Sequence, residues 1–354
     1  MPRSEHIAAV TSIAQAVRPE VEHLFRQLWA APELAGMERQ SSAALAGFLE
    51  RHGFAIERSP GGIPTAFIAR RSLGTGPRIA ILAEYDALPG LANHAVPHRS
   101  PNSDRAGHAC GHNHIGPANS AAAIIAAGCA ASLGLKGEVS VIGCPAEEIL
   151  WGKLALLQRG MFADYDAILT SHGDYQNGAV SRPCQAVMSG EFLFSGEAGH
   201  GGRVGGGNAL DAAELAIARA NRLRADAYPD VILGHVLRNA GIMPTITPES
   251  ARLWITARHV SFERARALYD AAHGIAETIA AENRLGFCHL PIAGTRGYLA
   301  NDVLARLLLE CCAAIGLPQW REDEIAWMQD LAHAVRPGET MIPRPHAEAA
   351  RRRC

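Results

Sequence analysis

Three short strings between residues 108 and 174 carry side chains able to hold a metal ion and to move protons. They read His108-Ala109-Cys110-Gly111-His112, Pro145-Ala146-Glu147-Glu148 and Ser171-His172-Gly173-Asp174. A thiolate and an imidazole two residues apart, two adjacent carboxylates and a further imidazole form a mixed donor set. Such a set suits zinc or another divalent first-row metal better than calcium or magnesium. Adjacent carboxylates also allow a division of labour, in which one faces the ion and the other activates water as general base.

These strings need elements that bring them together. Residues 5 to 52 read as two helices, with Ile7, Val10, Ile13 and Val17 at helical spacing and the second helix from about Ser41 to His52. Thr65 to Ala69 and Ile79 to Ala83 read as strands. The second is apolar throughout, as a parallel strand covered on both faces should be. It delivers Glu84-Tyr85-Asp86 to a strand's C-terminal end, where α/β sheets place their ligands. An Ala-rich helix is expected over about 117 to 133. The strand Val139 to Cys144 runs directly into Pro145-Ala146-Glu147-Glu148, and the strand Ala167 to Thr170 into Ser171-His172. Three reactive clusters at three strand ends predict one convergent site. Asp86 at such an end is placed to orient a ligand histidine, and His108 and His114 read as supporting or loop residues.

The composition excludes several function classes. With 354 residues and 48% hydrophobic content the chain can bury the cores of two domains. Its 33 basic and 35 acidic side chains leave a net charge of -2, which offers no basic field for nucleic acid. Only Lys136 and Lys153 are lysines, which reads as coding bias. The eight cysteines have no short regular spacing, so they read as thiols of a reducing compartment, with Cys129, Cys288, Cys311 and Cys312 expected to be buried. Cys129, Cys144, Cys288, His235 and His289 read as structural. Met1 to His6 lacks the marks of a signal peptide, and the apolar stretch Ala121 to Leu135 is too short and too rich in small residues to span a bilayer. A cytoplasmic protein without membrane or nucleic-acid partners is expected.

Near residue 186 the character changes. Val187 to Phe194 alternates as a half-buried strand, and a Gly-rich turn holds His200. A helix (209 to 224), strands near 232 to 239 and 251 to 258, and a helix (261 to 283) follow, an order that suggests an inserted α+β module.

The string Leu82-Ala83-Glu84-Tyr85-Asp86-Ala87-Leu88-Pro89-Gly90 and the later His108-Ala-Cys-Gly-His112-Asn113 resemble the M20 metallopeptidase and amidohydrolase family. The nearest branch is that of aminoacylase-like amidohydrolases and the aminobenzoyl-glutamate hydrolases. Glu147-Glu148, Gly199-His200-Gly201, Asn208 to Asp211 and Pro244 to Pro248 also fit, and the resemblance covers about residues 20 to 315. It implies an α/β catalytic domain with a mixed, mostly parallel sheet flanked by helices, and an inserted α+β lid that dimerises. The expected boundaries are 1–185, 186–297 and 298–354. It also implies Cys110, His112, Glu148 and His172 as ligands of one or two zinc or manganese ions, with Glu147 as general base. His200 would assist the carbonyl oxygen of a substrate on the neighbouring protomer, and Arg258 would take the substrate carboxylate.

Two departures accompany the resemblance. Thr245 stands where the lid usually has an Asn, so substrate contacts there should differ. Residues 320 to 354, ending Arg351-Arg352-Arg353-Cys354, do not resemble the family's ending, as a truncation or shifted frame would produce. His333 and His346 are not assigned as ligands. The expected activity is hydrolysis of an amide bond in a small carboxylate-bearing substrate by metal-activated water. Hydrolytic deamination of an aromatic amino acid-like substrate and an inactive paralogue that keeps the fold are the competing readings.

Overall fold

The structure, a computed structural model, describes residues 4–103, 105–173, 178–179, 184–201, 207–316 and 319–335. The chain divides into two compact units, Met1–Val180 with Asp302–Cys354, and Ser181–Asn301.

The first unit begins with two helices, α1 (Ser4–Ala30) and α2 (Arg39–Arg51). On α2 the buried residues Ser41, Ser42, Leu45, Ala46, Phe48 and Leu49 recur at helical spacing and form one face. Leu45, Phe48 and Leu49 are fully buried, each contributing about 1.5–3 kcal/mol. There follow β1 (Ala55–Arg58), β2 (Phe67–Ser72), β3 (Arg78–Ala83), α3 (His112–Ser132), β4 (Glu138–Gly143), α4 (Gly152–Gln158) and β5 (Ala167–Leu169). The sheet order is β1-β2-β4-β3-β5. β3 pairs parallel with β4 and β5, whereas β2 pairs antiparallel with β4 and β1. One sheet face packs on α1, α2 and α3 through Leu24, Phe48, Phe67, Ile81 and Ile124. The other packs through Ile68, Ala80 and Ile142 on Ala155 and Leu156 of α4.

The parallel register places the site. Ala83 pairs with Gly143 and Ile81 with Leu169, so β3, β4 and β5 release their chains at one edge of the sheet. Cys144 N extends the ladder by one bond, donating to Ala83 O at 2.8 Å. α3 starts at His112, five residues before its expected start, because Gly111 at φ 77° makes the left-handed turn into it. Among the described residues α3 alone is long and apolar enough to cross a membrane, yet more than half of that apolar window is buried in the fold.

The second unit contains β6 (Ala186–Ser195), β7 (Gly199–His200), α5 (Ala209–Ala227), β8 (Ile232–Arg238), β9 (Ile246–Thr247), β10 (Ser250–His259), α6 (Phe262–Glu282) and β11 (Gly286–Thr295). An antiparallel sheet β11-β6-β10-β8 packs on α5 and α6 around Phe192, Phe194, Leu253, Ile255 and Leu268. β6 lies inside this sheet and is mostly buried, more so than the alternating pattern of a half-buried strand suggested. β11 has no counterpart among the strands expected from sequence. Cys288 on β11 is exposed, and Cys311 and Cys312 are half-buried, so these three are not the core thiols expected of them. They lie on a sheet edge and on the helix α7 (Asp302–Ile315), which buries no side chain. The last described helix is α8 (Glu322–Val335), with His333 exposed on it. His346 lies outside the described residues.

Candidate metal centre

Glu84 and Asp86 leave the end of β3 buried, and Asp86 meets His112 in the first turn of α3. Asp86 Oδ1 lies 2.8 Å from His112 Nδ1, and Asp86 O lies 3.1 Å from the same nitrogen. Asp86 Oδ2 accepts the Glu148 backbone N–H at 2.9 Å. One carboxylate thus fixes the imidazole plane and ties down the turn that follows β4. It also leaves His112 Nε2 facing inward, buried and without a hydrogen-bonding partner.

Around that nitrogen the expected donors gather. Cys110 Sγ lies 3.3 Å from His172 Nε2, and ligand atoms of Cys110, His112 and His172 all fall within 4.8 Å of one another. Glu148 is outside that tight group, but its buried Oε1 likewise has no hydrogen-bonding partner. Burial raises the Glu148 carboxyl pKa, the charges of Asp86 and Glu147 add to the rise, and His112 opposes it. A thiol, two imidazoles and a carboxylate with two orphaned buried ligand atoms fit a divalent ion of the zinc type. His108, held down to about 4 by burial and by the His112 charge, stays neutral beside them. His114 stacks edge-on against Phe25, with ring centroids 6.4 Å apart.

The Glu147-Glu148 pair sits on a constrained turn. Ala146 and Leu150, on either side of it, adopt left-handed φ values of 53° and 58°. Such a conformation costs about 1–2 kcal/mol per residue for a side chain with Cβ. The turn is held by Glu38, a buried residue whose Oε1 accepts both Ala146 N at 2.8 Å and Gly36 N at 2.7 Å. Gly152 closes it from the other side, since a Cβ there would sit 1.7 Å from Pro145 O. Lys153, next in sequence, places Nζ 3.1 Å from Glu147 Oε1 and 2.5 Å from Glu84 Oε1. Burial disfavours its charge, but the carboxylates of Glu84 and Glu147 outweigh this and raise the ammonium pKa.

Glu38, Glu84 and Lys153 were not among the expected site residues. Glu84 stood inside the string that carried the resemblance. Lys153 had a signal too, as one of two lysines in an Arg-rich chain. Glu38 had none, being 108 positions from the turn it holds.

The remaining expected residues lie in the second unit. His200 on β7 pairs with Ile246 of β9, and Gly201 N donates to Thr245 O at 2.8 Å, so His200 and Thr245 are neighbours. Arg258 is exposed near the far end of β10, eight residues from Ser250. At strand rise that is about 26 Å along β10.

Metal uptake should be strongly pH dependent. Burial works against a charge on His112, but the hydrogen bond to Asp86, the neighbouring Cys110 and the charges of Asp86 and Glu84 outweigh it and push the imidazole up to about 11. A raised pKa means that chelator-treated protein keeps this proton at neutral pH, whereas ligation needs a bare Nε2. Apparent affinity should therefore rise about tenfold per pH unit above neutrality for this proton alone. Calorimetric zinc titrations in buffers of different ionisation enthalpy should show proton release, and a titration that releases none would remove His112 from the ligand set.

Comparisons with known proteins bear on this arrangement. The family model for peptidase family M20/M25/M40 matches residues 80–335, and so runs past the stretch near residue 315 where the resemblance in sequence was expected to end. A p-aminobenzoyl-glutamate hydrolase component of Escherichia coli (strain K12) is 32% identical over 324 residues, covering 90% of this chain and 67% of that protein. The Xaa-Arg dipeptidase of Mus musculus is 33% identical over 262 residues, covering 70% of this chain and 57% of the dipeptidase. Among solved structures, an aminobenzoyl-glutamate utilization protein from Klebsiella pneumoniae superposes with a TM-score of 0.67 at 18% identity, covering 93% of this chain and 91% of that one. A dinuclear metal-binding M20 peptidase of Bacillus subtilis gives 0.56 at 24% identity, covering 87% and 82%. These two show a shared fold.

Proposed function

Because the chain belongs to peptidase family M20/M25/M40, we propose that it is a metal-dependent amidohydrolase acting on a small carboxylate-bearing amide, such as an N-aroyl or N-acyl amino acid or a dipeptide. The observation that carries this reading is the set of inward-facing ligand atoms, with His112 Nε2 and Glu148 Oε1 buried and without a hydrogen-bonding partner beside the Cys110–His172 pair. The thiolate favours zinc, with manganese as the alternative. The substrate class follows the relatives, one a component of a p-aminobenzoyl-glutamate hydrolase and another an Xaa-Arg dipeptidase.

Cys110, His112, Glu148 and His172 would hold the ion, which when bound supplies Lewis acidity to the scissile carbonyl and to a water. Glu147 takes the water's proton and passes it to the leaving nitrogen. Its Oε1 is held by Lys153, while Oε2 faces the His112 side at 3.8 Å from Nε2. Asp86 keeps His112 in a single orientation. His200, beside Thr245, would assist the carbonyl oxygen from a second copy of the chain, and Arg258 would receive the substrate carboxylate. Dimerisation through the second unit is supported by β8, which ends its sheet with Ile232 and Val236 exposed.

The test combines elemental analysis with turnover of p-aminobenzoyl-glutamate, N-acyl amino acids and dipeptides, with and without chelator. Near-stoichiometric metal and chelator-sensitive cleavage are expected. Folded protein with neither would establish a scaffold without turnover. Cys110→Ala should lose most of the bound metal, and undiminished metal in that variant would exclude Cys110 as a ligand.

A further inference from the structure

The second unit holds a group of side chains that the metal centre does not use. His273 on α6 and His289 on β11 are both half-buried, and their ring centroids lie 4.6 Å apart. Phe192 of β6 stands edge-on to both, 5.5 Å from His273 and 5.4 Å from His289, and Phe287 lies 5.5 Å from His273. Tyr269, buried one turn before His273 on α6, brings its hydroxyl 2.8 Å from His289 Nε2. Gly190 of β6 makes room for that contact, because any side chain there would collide with the Tyr269 hydroxyl.

This packing suits neutral imidazoles. A neutral ring can accept the Tyr269 hydroxyl at Nε2, whereas an imidazolium can only donate. A proton on either ring also puts charge among aromatic side chains, and a second proton sets like charges across the 4.6 Å separation. Burial, and then the His273 charge, hold the His289 pKa below its ordinary value, and Asp270 opposes them from α6. Asp270 is itself bonded to Arg266 at 3.2 Å. The other elements present apolar or distant groups. β6 contributes Phe192 and Gly190, β10 packs into the shared core through Leu253, Ile255 and Ala257, and Arg219 of α5 pairs with Glu282 at the end of α6. The folded chain therefore takes up fewer protons here than the unfolded one. Stability is lost as pH falls below the unfolded histidine value of about 6.5, until the depressed folded value is passed.

β11 is poorly placed to bear that loss. It is an edge strand paired to β6 alone, with Pro291 and a register shift before Ala293. Past Thr295 the chain runs to Asp302, where the first unit resumes. We propose that the His273–His289 pair is an acid-sensitive latch between α6 and β11, which releases the edge strand in mildly acidic solution and loosens the connection that returns the chain to the first unit. This device is separate from the metal centre and does not rest on the metallohydrolase reading.

The experiment is hydrogen–deuterium exchange of the full chain, read on β11 peptides at about pH 7.5 and about pH 5.5 with intrinsic exchange rates divided out. β8, the other edge of the same sheet, is the internal control. In wild type the opening of β11 should rise by up to about tenfold per pH unit for each proton taken up, while β8 stays unchanged. His289→Gln keeps an acceptor for Tyr269 without a titrating ring and should abolish the pH dependence, and His273→Gln should weaken it. Exchange of β11 that is independent of pH in wild type would overturn the inference. An equal rise in β8 would do the same, since the whole sheet would then be opening, and so would an undiminished pH dependence in His289→Gln. Should that variant fail to fold, proton resonances decide. The His289 Cε1–H signal should titrate below the ordinary histidine range in wild type and move up in His273→Gln, and an ordinary value in wild type would overturn the latch.

Discussion

Glu147→Gln is expected to lower turnover by about 10²- to 10⁴-fold, the range ordinarily contributed by a positioned general base. Bound metal should stay at the wild-type level. The separation follows from the turn geometry. Glu147 and Glu148 are adjacent, but the backbone N–H of Glu148 is tied to Asp86, whereas Glu147 is tied by its side chain to Lys153. Glutamine keeps the size and the hydrogen-bonding reach of the side chain and loses the basicity. Fold and ligands should therefore be undisturbed. Parallel measurement of kcat and of metal by elemental analysis decides the matter. Equal loss of both would make Glu147 a ligand, and unchanged kcat would place the base elsewhere.

Asp86→Asn should weaken metal binding by about 10- to 100-fold, the usual penalty for losing a ligand's orienting carboxylate. Asp86 accepts two N–H groups, one from His112 and one from Glu148, with a different oxygen for each. An Asn has one accepting oxygen, so its amide must face one of these donors whichever way it turns. A buried donor left unpaired in this way costs about 1–3 kcal/mol, so a lower melting temperature should accompany the weaker affinity. Competition with a chelating dye measures the first effect and thermal unfolding the second. Wild-type affinity in Asp86→Asn would show that the His112 orientation is set by something other than this carboxylate.

Much of the fold was legible because apolar runs and turn residues are local signals. β3, β4 and β5 announce themselves by short apolar stretches that run into polar strings, and α5 and α6 by period and capping residues such as Asn208 and Ser261. β11 was hidden for a physical reason. It is an edge strand carrying Gly286, Pro291 and Gly294, with a register shift between Pro291 and Ala293. Those residue types ordinarily argue against a strand and are tolerated only at an edge or a bulge. The early start of α3 was missed similarly, since it depends on the left-handed turn at Gly111.

By itself the sequence determined which donors the chain possesses and that Glu147, Glu148 and His172 follow strands. Glu147, Glu148 and His172 could be named from residue type and the apolar runs before them, and Cys110 and His112 from residue type and their two-residue spacing. Only the tertiary structure decided how the charges around them are shared. That Asp86 spans His112 and Glu148, that Glu38 supports a left-handed Ala146, and that Lys153 lies between Glu84 and Glu147 are contacts between residues as much as 108 positions apart. Such contacts arise from the parallel register of β3, β4 and β5 and from the close approach of α4 at Gly152. Neither has a local periodicity to read, because a through-space pairing leaves no spacing rule along the chain.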